Sequence, residues 1–341
     1  MSTRVVSADT SSPVRKGVWS TWTRFWFAPS HPLSLHAIRI LFGILLLCWL
    51  LPFAGYIHDF FGLDGWFDRA AYAEASQGGG GLFDTQSWSL LFLVGQQPAA
   101  LTAFYWSSIL VIVLFTLGFF TRITSILTWL IVISFTANPL VEVDTDVFLR
   151  LIAFYLMISY VLLDLTTPDL PLWVRILSPF NHGPMAVLKA DPTSGKSSAV
   201  TVAMRLLQVH FAVALVMMGL FKLQLAEWWG GVTFWYPLHL PSETTIEAIN
   251  DLRPKRESYL LVISLAAYLV IAWQIFFPTF AWRGGLCRWV LLGGGLAGAV
   301  GLMVIYPIPL MGPVFLLLCL TYLTDSEWFR IFSPLQRLVK G

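Results

Sequence analysis

Long apolar runs separated by short polar connections dominate the chain. Residues 36–57, 99–119, 122–138, 146–165, 200–222, 258–281, 285–305 and 308–324 each read as a helix, and crossing about 30 Å of hydrocarbon takes about 20 helical residues. The pattern predicts an all-α fold: a polytopic integral membrane helical bundle of about eight transmembrane helices. The third and eighth runs are short and share tight turns with their neighbours, at Thr121-Arg122 and at Tyr306-Pro307-Ile308-Pro309. No separate soluble domain fits, so residues 1–341 read as a single transmembrane domain. Within it, residues 1–30 form an interfacial amino-terminal segment and 325–341 a tail, both cytoplasmic. Residues 58–98 and 223–257 are the long outer loops, and 166–199 the long inner connection.

Charge sets the orientation. The connections that alternate to one side carry Arg15, Lys16 and Arg24, then Arg122, then Arg175, Lys189 and Lys196, then Arg283 and Arg288, then Arg330, Arg337 and Lys340. The other side holds Asp59, Asp64, Asp68, Glu74 and Asp84, then Glu142, Asp144 and Asp146. Its one basic cluster, Arg253, Lys255 and Arg256, is offset by Glu243, Glu247, Asp251 and Glu257. Basic loops stay inside, so both termini are expected in the cytoplasm. The first residues are polar and basic, and the apolar run after them lacks a small-residue cleavage site, so the first helix is itself the insertion signal.

Composition agrees with this solvent: 57% hydrophobic residues, 12% charged, 16 Trp and 26 Phe, with a mean hydropathy of +0.73. A net charge of +2 and the lack of any basic run exclude nucleic acid as a partner. Cys48, Cys287 and Cys319 show no metal-ligand spacing and read as core thiols. No metal site is expected from His58, Asp59, Asp64, Asp68 and His239 either, because their spacing does not match a ligand set. Gly78 to Gly81 reads as a flexible loop, and Gly293, Gly294, Gly295, Gly298 and Gly301 as a close-packing surface. Trp22 to Pro29, Trp173 to Pro179 and Trp328 to Pro334 share a Trp, Arg, Pro pattern. Each reads as an interfacial helix with rings at headgroup depth and arginine on phosphates, ended near its proline; a duplication of two four-helix halves is the other reading of the last two copies.

Lys222 is the residue that points most directly to chemistry. It ends an apolar helix in Gly219-Leu220-Phe221-Lys222-Leu223, shortly before Glu227, Trp228 and Trp229. An ionisable group at membrane depth is costly and a functional candidate, and burial disfavours the ammonium form, so such an amine can become a proton acceptor. The other reading is a lysine that snorkels to the interface with Trp228 and Trp229 as belt residues. Gln208, Leu215, Gly219 and Lys222 fall within about 60° on a helical wheel, a polar stripe with a glycine gap that must face helices or a cavity. Arg39 is a second intramembrane candidate, as a cavity group or as an inner-face anchor. Asn138 and Asp146 place polar groups at the outer ends of the third and fourth spans, and Gln208 reads either as a helix–helix hydrogen bond or as a substrate contact.

These residues resemble a known family. Gly219-Leu220-Phe221-Lys222-Leu223, with Gln208 before it and Trp228 and Gly230 after it, looks like the core motif of the vitamin K-dependent gamma-carboxylase superfamily. Its bacterial relatives are the horizontally transferred transmembrane domain proteins. Pro32-Leu33 leading to Arg39-Ile40-Leu41-Phe42-Gly43, Gly62-Leu63-Asp64-Gly65, Leu117-Gly118-Phe119-Phe120-Thr121-Arg122 and Asn138-Pro139 with Asp146 to Tyr155 are similar in order and spacing, from about Trp26 to about Tyr322. The resemblance implies a multi-pass protein of a bacterial cytoplasmic membrane with base-initiated, lyase-type chemistry at its outer face. Reduced vitamin K or another quinol would be the cofactor, and a secreted peptide a partner. Lys222 would match the lysine that deprotonates reduced vitamin K; oxygenation then yields a strong base that removes a glutamate γ-proton, and carbon dioxide adds to the carbanion. Two departures alter that expectation: a histidine of the carboxylase falls at or beside Asp146, and no large β-rich domain follows the last span. An accessory role in maturing an exported peptide, and a membrane scaffold, are the alternatives.

Overall fold

The computed structural model describes residues 17–62, 65–66, 89–95, 97–138, 145–165, 190, 195–240, 244–247, 250, 256–306 and 308–340. The glycine run at 78–81, the Trp173 to Pro179 pattern and Asp64 lie outside the described residues. The helices, in order, are α1 (Val18–Phe27), α2 (Leu33–Leu50), α3 (Ile57–Phe61), α4 (Leu91–Val94), α5 (Pro98–Leu117), α6 (Thr121–Thr136) and α7 (Thr145–Leu165). Then come α8 (Ser198–Lys222), α9 (Ala226–Trp229), α10 (Trp235–Leu238), α11 (Arg256–Phe280), α12 (Leu286–Val304), α13 (Met311–Leu320) and α14 (Asp325–Lys340).

Among the described residues, six stretches are long and apolar enough to cross a membrane: Leu33–Gly55, Pro98–Leu117, Thr145–Leu163, Ser198–Lys222, Arg256–Phe280 and Leu286–Val304. The protein is a multi-pass helical membrane bundle. Its outward side chains, such as Leu261, Val262 and Leu269 of α11 and Trp289 and Val304 of α12, are exposed and apolar, as a lipid-facing surface requires. The third and eighth apolar runs form the shorter helices α6 and α13.

Local chemistry explains the ends. Pro98 starts α5 at a position that needs no N–H. The helix ends in a Schellman motif: Gly118, with φ +84°, donates to Phe115, and Phe119 donates to Leu114. Phe120, also left-handed, then opens α6. Ser197 caps α8 by accepting from the Ala199 amide at 3.2 Å. Thr324 and Glu327 form a capping box on α14, the Thr324 amide donating to the carboxylate at 2.7 Å and the Glu327 amide reaching the hydroxyl at 3.4 Å. The expectation that each Trp, Arg, Pro helix stops at its proline holds for α1, which ends before Pro29, but α14 continues through Pro334. Pro334 lacks the N–H that would reach the Arg330 carbonyl, and the Ser333 hydroxyl donates to that carbonyl instead, at 2.9 Å.

Contacts between distant residues fix the directions of the helices. Tyr105, near the start of α5, donates to the Leu50 carbonyl at the end of α2. Tyr160, near the end of α7, meets His36 and Arg39 near the start of α2. Arg150, near the start of α7, holds Thr136 at the end of α6. Trp273, late in α11, donates to Val290, early in α12. Each pair is antiparallel. The two amphipathic terminal helices share one end of the bundle, because the His31 amide, just after α1, donates to Asp325 at 2.9 Å.

The buried apolar side chains separate into two cores. The larger joins α2, α5, α6, α7, α8, α11, α12 and α13 and includes Phe42, Phe115, Phe211, Phe277, Leu291 and Leu318. The smaller consists of Trp228, Phe234, Ile263, Ala267 and Ile271, where the chain after α8 folds onto the amino-terminal part of α11.

Candidate functional site

Lys222 stands between those two cores. Gly219, one turn earlier, touches α11 so closely that a Cβ there would lie 2.9 Å from Ile275 Cγ1 and 3.2 Å from Gln274 Cβ. Past Lys222 the chain stays on α11. The Tyr268 hydroxyl donates to the Trp229 carbonyl at 2.6 Å, and the Ser264 hydroxyl to the Gly231 carbonyl at 3.1 Å. Gly231, with φ +67°, leaves no room for a side chain against Ser264. Residues 219 to 231 therefore run along α11 toward its amino terminus, from Ile275 to Ser264. At 1.5 Å per residue, α11 extends about 27 Å beyond Gln274 toward its start at Arg256. Lys222 thus lies beside the middle of its neighbouring helix, sheltered by the segment from Leu223 to Gly231.

Its amine faces an indole. Nζ sits 5.1 Å from the centroid of the Trp228 ring, inside the range where a cation gains from the ring face. Trp228 is buried and packs edge-on against Phe234, while the Trp229 indole donates back to the Leu223 carbonyl. Lys222 itself is half-buried. Among the described residues no carboxylate or hydrogen-bond acceptor holds its amine. The position at the carboxy-terminal turn of α8 favours positive charge there by about 0.3–1 kcal/mol.

Of the residues singled out by sequence, Gly219 and Trp228 are brought to Lys222. Gln208 is not: it lies fourteen residues earlier on α8, about 21 Å along the axis, and is the hub of a helix brace. Its Oε1 accepts from Arg205 and from the Trp282 indole, both at 2.9 Å, and its Nε2 donates to the Thr321 carbonyl at 2.6 Å. The Tyr322 hydroxyl donates to its backbone carbonyl. Of its two readings, helix–helix hydrogen bonding is the one this geometry fits.

Arg39 is also remote from Lys222. It is fully buried in α2, donates to the Tyr160 hydroxyl at 3.2 Å and lies 5.5 Å from that ring's centroid. Asn138 ties the outer end of α6 to α3 by donating to the Phe60 carbonyl at 2.6 Å. Asp146 is buried in the first turn of α7. Phe148, on the same turn, packs on Phe211 of α8, about 16 Å along the axis before Lys222.

Gln274 was missed. It is an amide inside an apolar span, only 6% exposed, and it faces Gly219. Its signal in sequence is a polar side chain on the stripe Ile263, Ala267, Ile271, Phe277, which otherwise buries apolar residues.

The site thus combines an amine without a described carboxylate, an aromatic face at Trp228 and a close helix contact at Gly219. No family model, no curated protein and no solved structure matches the chain.

Proposed function

We propose that this protein performs base-initiated chemistry in the outer half of a bacterial cytoplasmic membrane, with Lys222 as proton acceptor. On this reading it is a member of the vitamin K-dependent gamma-carboxylase superfamily, acting on reduced vitamin K or another quinol and on an exported peptide. The observation that carries the proposal is the Lys222 amine held at the seam between two cores, over Trp228 and apart from any described carboxylate.

The residues divide the work. The Lys222 lone pair takes the hydroxyl proton, and the ammonium that forms is stabilised by the Trp228 ring face, worth about 0.5–2 kcal/mol, and by the end of α8. Gly219 lets α8 approach α11 closely and so holds Lys222 beside that helix. Trp228 and Phe234 exclude water. A bound quinol would supply the acidic hydroxyl and the subsequent oxygen chemistry; the chain supplies the base, the orientation and the dry surroundings.

The packing supports eight crossings with both termini in the cytoplasm. α2 is antiparallel to both α5 and α7, so these two run in the same direction, and α6 must return between them despite its sixteen residues. α13 packs back along α12, with Cys319 against Gly295 and Met303 against Gly312. The terminal helices meet at the end that carries Arg24, Arg205, Arg288 and Arg330, which the positive-inside rule places inside.

Mass spectrometry of peptides exported by cells making the wild type, Lys222→Met or no protein tests the reading. Glutamate gaining the mass of carbon dioxide only with the wild type supports carboxylation. Identical exported peptides in all three strains, with the variant folded and inserted, reject it.

A further inference from the structure

We propose that the Gln274 side-chain amide is a hydrogen-bonding subsite for the molecule that Lys222 deprotonates, engaging an oxygen of a flat, lipid-soluble phenol or quinol. This rests on the base reading of Lys222 and adds the second polar contact that reading lacks.

The first observation is an orphan. Gln274 is more than nine-tenths buried, and its Oε1 is enclosed without a hydrogen-bond partner among the described residues. Burying an amide unpaired is costly, and buried side-chain polar atoms are rarely left so without a reason. Gln208 shows what this bundle does with a glutamine used as a brace, since both ends of that amide are bonded across helices. Gln274 makes no such bond among the described residues.

Placement is the second. On the buried stripe of α11, Ile271 on the outer side belongs to the smaller core and Phe277 on the inner side to the larger. Gln274 is the polar step between them. The backbone of α8 at Gly219 packs directly on the Gln274 side chain, and Lys222 follows one turn further along α8. The amide and the amine therefore belong to the same α8–α11 contact.

A third observation concerns the backbone. Pro278 lies inside α11 and has no N–H to give to the carbonyl four residues earlier, which is that of Gln274. The regular ladder is interrupted at this residue. In a membrane helix such a break is tolerated where other groups satisfy the freed carbonyl, so polar demand concentrates at this one residue.

The amide fits the chemistry. It can donate and accept, and a half-turn of its plane exchanges oxygen and nitrogen, so it suits either a hydroxyl or the oxygen left after deprotonation. Trp228 and Phe234 supply aromatic surface beyond it. A ligand that reached both Lys222 and Gln274 would be fixed at two points in a plane, which is what orientation for proton transfer requires.

The test uses full-length protein in lipid nanodiscs, with menadiol as the probe under anaerobic conditions. Binding is followed by tryptophan fluorescence, and deprotonation by the absorbance of the naphtholate anion. Gln274→Leu should bind menadiol at least ten-fold more weakly while melting at or above the wild-type temperature, because an unpaired amide has been removed. Gln274→Met serves the same purpose should the leucine variant not insert. A lower melting temperature with unchanged affinity would make Gln274 a helix brace and overturn the proposal, as would absence of menadiol binding to the wild type. The base reading has its own readout. If the wild type gives no anion band but Gln274→Leu still weakens binding, the lysine proposal fails and the subsite stands. If the band appears and Gln274→Leu changes neither it nor the affinity, the subsite fails and the base stands.

Discussion

The inner end of the bundle and the seam around Lys222 use the same polar residue types to opposite effect. At the inner end, Gln208 gathers Arg205, Trp282 and Thr321, while Arg288 holds Glu327 at 3.0 Å and the Tyr322 carbonyl at 2.8 Å. At the seam, the Lys222 amine has an indole face and the Gln274 oxygen has no partner among the described residues. In a low dielectric a fully satisfied network rigidifies and an unsatisfied one is expensive. The bonds around Gln208 brace the helices, whereas Gln274, like Arg39 at the Gln208 end with its Nε and Nη2, keeps an atom without a partner among the described residues; the binding role proposed for Gln274 rests on its place beside Lys222.

The largest expected effect is at Lys222. Lys222→Met should reduce turnover by about 10²–10⁴-fold, the usual contribution of a positioned base, with little change in melting temperature; a stable variant of normal activity would erase the contrast between seam and inner end. Gln208→Leu should do the reverse. It strands donors on Arg205 and Trp282 and the Thr321 carbonyl, each worth about 1–3 kcal/mol at most, with membrane hydrogen bonds averaging about 0.6 kcal/mol. A loss of about 2 kcal/mol in a detergent unfolding titration is expected from these contributions, with menadiol affinity retained at temperatures well below melting. Gly219→Val acts on both properties: its branches would meet Ile275 and Gln274, overpacking that costs about 1–3 kcal/mol, and pushing α8 from α11 would displace Lys222 and Gln274 together.

The smallest effect concerns α14. Burial raises the Glu327 carboxyl, but the Thr324 amide and hydroxyl and the Arg288 guanidinium lower it more, leaving it below its ordinary value of 4.5. A depressed carboxyl contributes stability that is present above the unfolded value and lost as pH falls through the folded one. Melting temperature should therefore fall below about pH 4.5, and Glu327→Gln should flatten that acid limb; the pair is partly exposed, so the change is a few degrees at most.

Much of this was legible in the sequence because membrane helices are written locally. Hydropathy located the apolar runs, and the Gly219, Lys222, Trp228 spacing located the amine and its neighbours on one stretch of chain. What was not legible is pairing across helices. Gln208 and Lys222 share a face, yet Thr321 and Trp282, far along the chain, decide that Gln208 is a brace. Arg39 reads in sequence as a cavity group or as an anchor, and its contact with Tyr160, which the sequence does not announce, shows where one end of the guanidinium is held. Gln274 could be seen as polar in an apolar run, but its lack of partners among the described residues exists only in three dimensions. The helical run through Pro334 depended on one hydroxyl, Ser333, that a proline rule overlooks.

A Lys222 amine sheltered from water and free to react has a direct chemical signature. Competitive labelling in sealed vesicles reads it, comparing a membrane-soluble anhydride with a charged, water-soluble active ester, each followed by peptide mapping. The anhydride should modify Lys222 and menadiol should protect it, while the charged ester should modify Lys196 in opened vesicles and spare Lys222. Equal modification of both lysines by the charged reagent would show an amine open to water and contradict a sheltered base.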